Sequence, residues 1–299
     1  MVESLTPPDE APIFVVGTGR CGSTFIQTSL SATGAVWVWG EHAGMLQGLL
    51  RWSRDMRHKR PLREFVFPFA GRDPVSKLRD PDASAEWEVS WLNNLAEEDF
   101  TELERIAIRH LLARRLPPGK TRWGFKEILY GEDDGMLERL LEIFPAARLV
   151  HMVRHPLDTV ESMLTEWQPQ LLRRAMANSA PGPVLDAYAE ALRRWDRLTR
   201  RLLALSDAHP RAQSFRIEDG APMLEAVARF LALDPAALVA AAGQGGVRHG
   251  HDRSAAERAA DPRTPLFLAG REAHAGLVAP LSQRLGYELD VLLAGGSPA

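Results

Sequence analysis

The residues best placed by type and spacing to do chemistry lie in one turn, Gly17-Thr18-Gly19-Arg20-Cys21-Gly22-Ser23-Thr24. An arginine sits among three glycines, between the apolar run Ile13-Phe14-Val15-Val16 and a helix-like segment from Phe25 to Ser31. A strand, a glycine turn and a helix start together make an anion cradle: backbone N–H groups converge on a phosphate or sulfate, and the helix N-terminus faces it. The turn fits the pattern G-x-x-x-x-G-K-[ST] at Gly17, Gly22 and Thr24, but Ser23 occupies the lysine position. A nucleoside triphosphatase needs that lysine at the β- and γ-phosphates, so its loss points to a different ester. Arg20 supplies the charge three residues earlier.

A second element strengthens the reading. Ala147 to Val153 reads as another buried strand, ending on Arg154, and Pro156-Leu157-Asp158 then opens a helix. Ser162 falls on that helix, eight residues after Arg154. An arginine at a strand end and a serine on the next helix can meet on one phosphate, one by a charged fork and one by a hydroxyl.

These two stretches resemble the PAPS-dependent sulfotransferases, which take 3′-phosphoadenosine 5′-phosphosulfate as donor. The first is similar to the family's 5′-phosphosulfate loop, commonly R-S-G-T-T or K-S-G-T-T, and Arg154 with Ser162 is similar to its 3′-phosphate site, R-x7-S. Arg122-Trp123-Gly124-Phe125-Lys126-Glu127 resembles the lysine-bearing strand between them, and Phe215-Arg216-Ile217-Glu218-Asp219 the late R-Y-E-D-L strand. Cys21, Ser23 and Ile217 depart from the usual serine, threonine and tyrosine. The resemblance implies a P-loop-like sulfotransferase fold, with Gly19, Arg20, Cys21, Gly22, Ser23, Thr24, Arg154, Ser162 and the late-loop Arg248 as donor contacts.

Sulfuryl transfer needs positive charge at the departing nucleotide and a base at the acceptor. Arg20 and Lys126 are the residues expected to supply the charge. Glu41, 21 residues after Arg20, lies where family members with a carboxylate base carry a glutamate. His42 is the alternative, since imidazole titrates near neutrality. Cys21 has no evident base partner to make it a nucleophile, and no H-E-x-x-H or cysteine cluster announces a metal.

Composition agrees with an ordinary globular chain: 299 residues, 45% hydrophobic, 25% charged, net charge −3. Nucleic-acid binding, which favours a basic domain, is not indicated. One cysteine, no apolar leader and no spanning run point to a cytoplasmic setting without a membrane anchor. The acceptor is expected to be a small molecule or a saccharide.

Strands and helices alternate over 12–40 and 121–232, which predicts an α/β fold with a central parallel sheet flanked by helices. A site then belongs at the carboxyl ends of the strands. We expect one domain over 1–299. Residues 41–120, with the basic run Arg51 to Arg60, Trp87 and Trp91 and a helix over Thr101 to Arg115, read as a mostly helical insertion on the acceptor side. The signal fades after residue 232, apart from a short helix over Ala236 to Ala242. Two other functions stay open at this stage: a kinase-like phosphotransferase, and a non-catalytic module for adenosine 3′,5′-bisphosphate.

Overall fold

Consecutive buried residues in short β-branched runs fix the centre of the molecule. The computed structural model describes residues 11–64, 93–132, 135–244 and 260–289. Every residue of β1 (Ile13–Gly17) and of β3 (Arg122–Glu127) is buried, as expected for strands covered on both faces. With β2 (Val36–Trp39), β4 (Arg148–Val153) and β5 (Ala212–Arg216) they form one parallel sheet in the order β2-β3-β1-β4-β5. The close approach of β3 to β1 needs Gly124, where a Cβ would lie 2.2 Å from the Ile13 carbonyl oxygen.

Strand alternation sorts the core into two layers. Ile13, Val15, Val36, Val38, Val150, Met152 and Phe215 point to one face. There they pack on α1 (Ser23–Ala32), α9 (Gly220–Leu231) and α10 (Pro235–Gln244). Phe14, Val16, Trp123, Phe125 and Leu149 point to the other, against α2 (Met45–Arg57), α4 (Glu97–Leu112), α5 (Met136–Ile143) and the end of α8 (Gly182–Ala208). A third cluster joins α6 (Pro156–Trp167), α7 (Pro169–Asn178), α8, α11 (Thr264–His274) and α12 (Ala279–Arg284).

The described part of the expected insertion is helical: α2, the short α3 (Arg60–Glu64) and α4. Helix α4 starts before the expected Thr101. Asp99 accepts a bond from the Ala96 N–H at 2.7 Å, and Glu97 and Glu98 favour the helix N-terminus. The basic run is not only a solvated face. Arg57 and Arg139 both bind the buried Glu104, with Nη2–Oε2 distances of 3.1 and 2.6 Å, tying α2 to α4 and α5. Trp87 and Trp91 lie outside the described residues.

Helix α7 is an addition to the expected elements. Pro169 ends α6 and then serves as the first residue of the next helix, where its missing N–H costs nothing. Helices α11 and α12 are also additions. Arg271 pins α11 to α6 through Glu161, with Nη2–Oε2 at 2.9 Å, and Gly270 lets α11 close on the Tyr188 ring of α8. Among the described residues no helix is long and apolar enough to cross a membrane.

Candidate active site

Four strands deliver their ends to one edge of the sheet. Residues 17–24 follow β1, residues 40–44 follow β2, Lys126 and Glu127 close β3, and Arg154 follows β4. The turn after β1 is built on left-handed backbone: Gly19 has φ 81°, Arg20 φ 51° and Gly22 φ 88°. An arginine there is strained by about 1 kcal/mol or more. Gly22 stands at the N-cap of α1 without a side-chain cap, and the first helix N–H, that of Ser23, turns to the Cys21 thiol. A Cβ at Gly22 would lie 2.8 Å from Ile217 Cδ1, so the residue that replaces the expected tyrosine packs under the loop.

Cys21 points inward. Its Sγ would sit 2.4 Å from a Cβ at Gly17, which explains a small residue at both positions. Burial pushes its thiol up from the ordinary range, so a nucleophilic role has no support. Ser23 is buried and Thr24 exposed.

Two groups of side chains flank the turn. On one side Arg20 Nε donates to Ser162 Oγ at 3.0 Å, and Arg154 Nη1 donates to the Arg20 carbonyl at 3.2 Å. The structure thus brings Arg20, Arg154 and Ser162 together. Burial pulls the Arg154 guanidinium down from its ordinary range, against the opposing pull of Asp158 and Glu218, and its buried Nε has no partner. Glu166 approaches Arg20 Nη2 at 3.7 Å from a half-exposed position, so part of that charge is already balanced.

On the other side Lys126 Nζ bonds Glu41 Oε1. Lys126 is buried and Glu41 half-exposed. Arg20 and Lys126, both expected to supply positive charge, hold different partners. His42 faces away from solvent. Its Nε2 meets Tyr130 Oη, which also accepts the Leu46 N–H at 3.1 Å. Burial pulls the imidazole down from its ordinary range despite nearby Glu127.

The sequence reading missed two carboxylates. Glu218 takes the His155 N–H at 2.6 Å and the Tyr287 hydroxyl at 2.9 Å, holding the turn behind Arg154. The late R-x-E-D resemblance contained it without a role. Glu127 is the other, and its contacts are treated below. Among the described residues no group of three or more His, Cys, Asp or Glu is placed to hold a metal. Arg248, His249 and His251 lie outside the described residues.

The model of the Sulfotransferase family matches residues 12–218. The chain belongs to the sulfotransferase family. The matched span contains all four strand ends of the site. Solved structures with a similar course include the sulfotransferase domain of the Synechococcus PCC 7002 olefin synthase, at 16% identity and TM-score 0.49, covering 95% of this chain and 97% of that one. A sulfotransferase domain from the curacin biosynthetic pathway gives 17% and 0.48, covering 95% and 99%. A Mycobacterium avium sulfotransferase gives 18% and 0.46, covering 95% and 79%. No curated protein matches the chain in sequence.

Proposed function

We propose that this sulfotransferase moves a sulfuryl group from 3′-phosphoadenosine 5′-phosphosulfate to a hydroxyl or amine by in-line displacement. The observation that carries the donor assignment is Arg154, a partly desolvated cation with an unpartnered buried Nε beside Arg20 and Ser162. A partly buried guanidinium with an unpartnered Nε is costly until an anion arrives, and a nucleotide 3′-phosphate fits it. The glycine turn and the uncapped start of α1 would hold the 5′-phosphosulfate, which supplies an activated sulfuryl group on a phosphate leaving group. Lys126 would stabilise charge developing at the bridging oxygen, and Glu41 would take the acceptor's proton.

Adenosine 3′,5′-bisphosphate is expected to bind more tightly than AMP by about 10- to 100-fold, since each charge-assisted bond is worth about 1.5–3 kcal/mol. Arg154→Ala should erase most of that preference. Arg20→Ala should erode it too, because Arg20 holds Ser162. Calorimetry or thermal shift with the bisphosphate, AMP and ATP reads all three comparisons through ligand linkage. Equal affinity for AMP and the bisphosphate would remove the 3′-site. Preference for ATP would favour the phosphotransferase, and tight bisphosphate binding without turnover a binding module.

Apolar side chains lie against the turns at Gly19 and Gly44. Trp167 and Ile128 both close on Gly19, and Leu129 on Gly44. Met45, Leu129 and Trp167 stay 42%, 37% and 46% exposed. We read this rim as a wall for the body of a small, apolar acceptor rather than a saccharide. With primary alcohols as acceptors, kcat/KM should rise about fourfold per added CH2, from the roughly 0.8 kcal/mol that one buried methylene contributes. A flat series, or preference for sugars, would overturn this assignment.

A further inference from the structure

Glu127 is the last residue of β3 and is fully buried. Its Oε2 accepts the N–H groups of His42 and Gly44, both at 3.1 Å. Its Oε1 accepts those of Ile128 at 2.9 Å and Leu129 at 3.3 Å. Each oxygen therefore receives two backbone donors from a different segment. A carboxylate offers acceptors at both oxygens; an amide must turn its own N–H groups against one pair.

The turn that Glu127 grips is strained. Ala43 and Gly44 have φ values of 53° and 69°, two left-handed residues in succession. Such a turn brings alternate N–H groups round to one anion, and here the anion is a side chain of the protein. Glu41 stands just before it and reaches Lys126, the residue just before Glu127. Neighbouring residues of a strand leave it on opposite faces. Segment 40–44 thus straddles the end of β3, with Glu41 on the Lys126 side and His42–Gly44 on the Glu127 side. Tyr130 adds a second tether through His42 and Leu46.

We propose that Glu127 is a positioning residue, which sets the base carboxylate of Glu41 against Lys126 by clamping the left-handed turn behind it. The inference rests on Glu41 being the base. It assigns Glu127 no contact with donor or acceptor.

Hydrolysis of the donor tests it without knowledge of the acceptor. Water attacks sulfur, the bond from sulfur to the bridging oxygen breaks, the water proton passes to Glu41, and sulfate and the bisphosphate leave. Glu127→Gln should lower kcat for hydrolysis about 30-fold or more while bisphosphate affinity stays within about twofold, because the turn at 17–24 and Arg154 are untouched. In the Glu41→Gln background the same change should have little further effect, since two residues acting through one group are not additive. Gly44→Ala is a second probe, straining the same turn at φ 69° without altering the carboxylate. It should reproduce the split between kcat and affinity if Glu127→Gln fails to fold. Wild-type hydrolysis in Glu41→Gln, or none in the parent protein, would overturn the base reading beneath. Loss in Glu41→Gln with normal hydrolysis in Glu127→Gln or, where that fails to fold, in Gly44→Ala would overturn the positioning role alone. Equal losses from Glu127→Gln in both backgrounds would do the same.

Discussion

Replacing Glu41 by glutamine is expected to lower turnover by about 10²–10⁴-fold, the usual range for loss of a general base, with adenosine 3′,5′-bisphosphate affinity near that of the parent protein. Glutamine keeps the length of the side chain and one carbonyl oxygen for Lys126, so the contact at the end of β3 survives. What it cannot do is accept the acceptor's proton. His42→Ala makes the contrast. That ring packs edge-on against Phe125 and Tyr130, with centroids 5.1 and 5.4 Å away, and its Nε2 is occupied by the tyrosine. Its removal should cost stability, by about 1–3 kcal/mol, far more than turnover. Lys126→Ala should weaken both donor binding and turnover. Single-turnover rates with calorimetric nucleotide affinities separate these outcomes. Near-normal turnover in Glu41→Gln with collapse in His42→Ala would reverse the two roles.

The sheet and its loops were legible because their determinants are local. A glycine turn after a fully buried β-branched run can do little but end a strand and start a helix, and Gly17 to Thr24 does this. The same holds for Arg154 before Pro156, where the imino acid starts α6. The family resemblance was carried by these same stretches, and the matched span of residues 12–218 agrees with it.

What stayed hidden depends on partners distant in sequence. Arg20 and Lys126 were both expected at the phosphosulfate, and the bond of Arg20 to Ser162, 142 residues away, links it to the pair expected at the 3′-phosphate. Nothing in the loop's own sequence announces that partner. Glu127 drew no role from the sequence, since its four backbone donors come partly from a turn 83 to 85 residues earlier. Helices α11 and α12 depend on partners such as Arg271 with Glu161 and Tyr287 with Glu218 rather than on a long apolar stripe. A periodicity reading is weakest for such short segments.

Acid should destabilise this protein from near pH 6.5 downward, through His151. The ring lies on β4, aligned with Val16 of β1 and Ser214 of β5, with no exposed surface. Its Nδ1 is 2.8 Å from Ser214 Oγ, which is itself 2.9 Å from Ser206 Oγ, and its Nε2 is buried without a partner. A second proton would have to sit on that Nε2, in apolar surroundings, and burial lowers the pKa to about 3. In the unfolded chain the same group titrates near 6.5. Between those values the unfolded state binds the extra proton and the folded state does not. Stability is therefore complete above about pH 6.5 and falls by about 1.4 kcal/mol per pH unit as the pH drops toward 3. The full loss is on the order of 5 kcal/mol, a large share of the roughly 5–15 kcal/mol typical of a folded chain. His42, lowered by burial, acts in the same direction. Urea unfolding at pH 7.5, 6.0 and 5.0, above the range where most carboxylates titrate, isolates the histidine contribution. His151→Leu should flatten the slope by close to one proton, whatever it does to stability at neutral pH. Parallel slopes in the parent and the variant would mean that the protonated ring finds an acceptor in the fold, and the burial argument for His151 would fail.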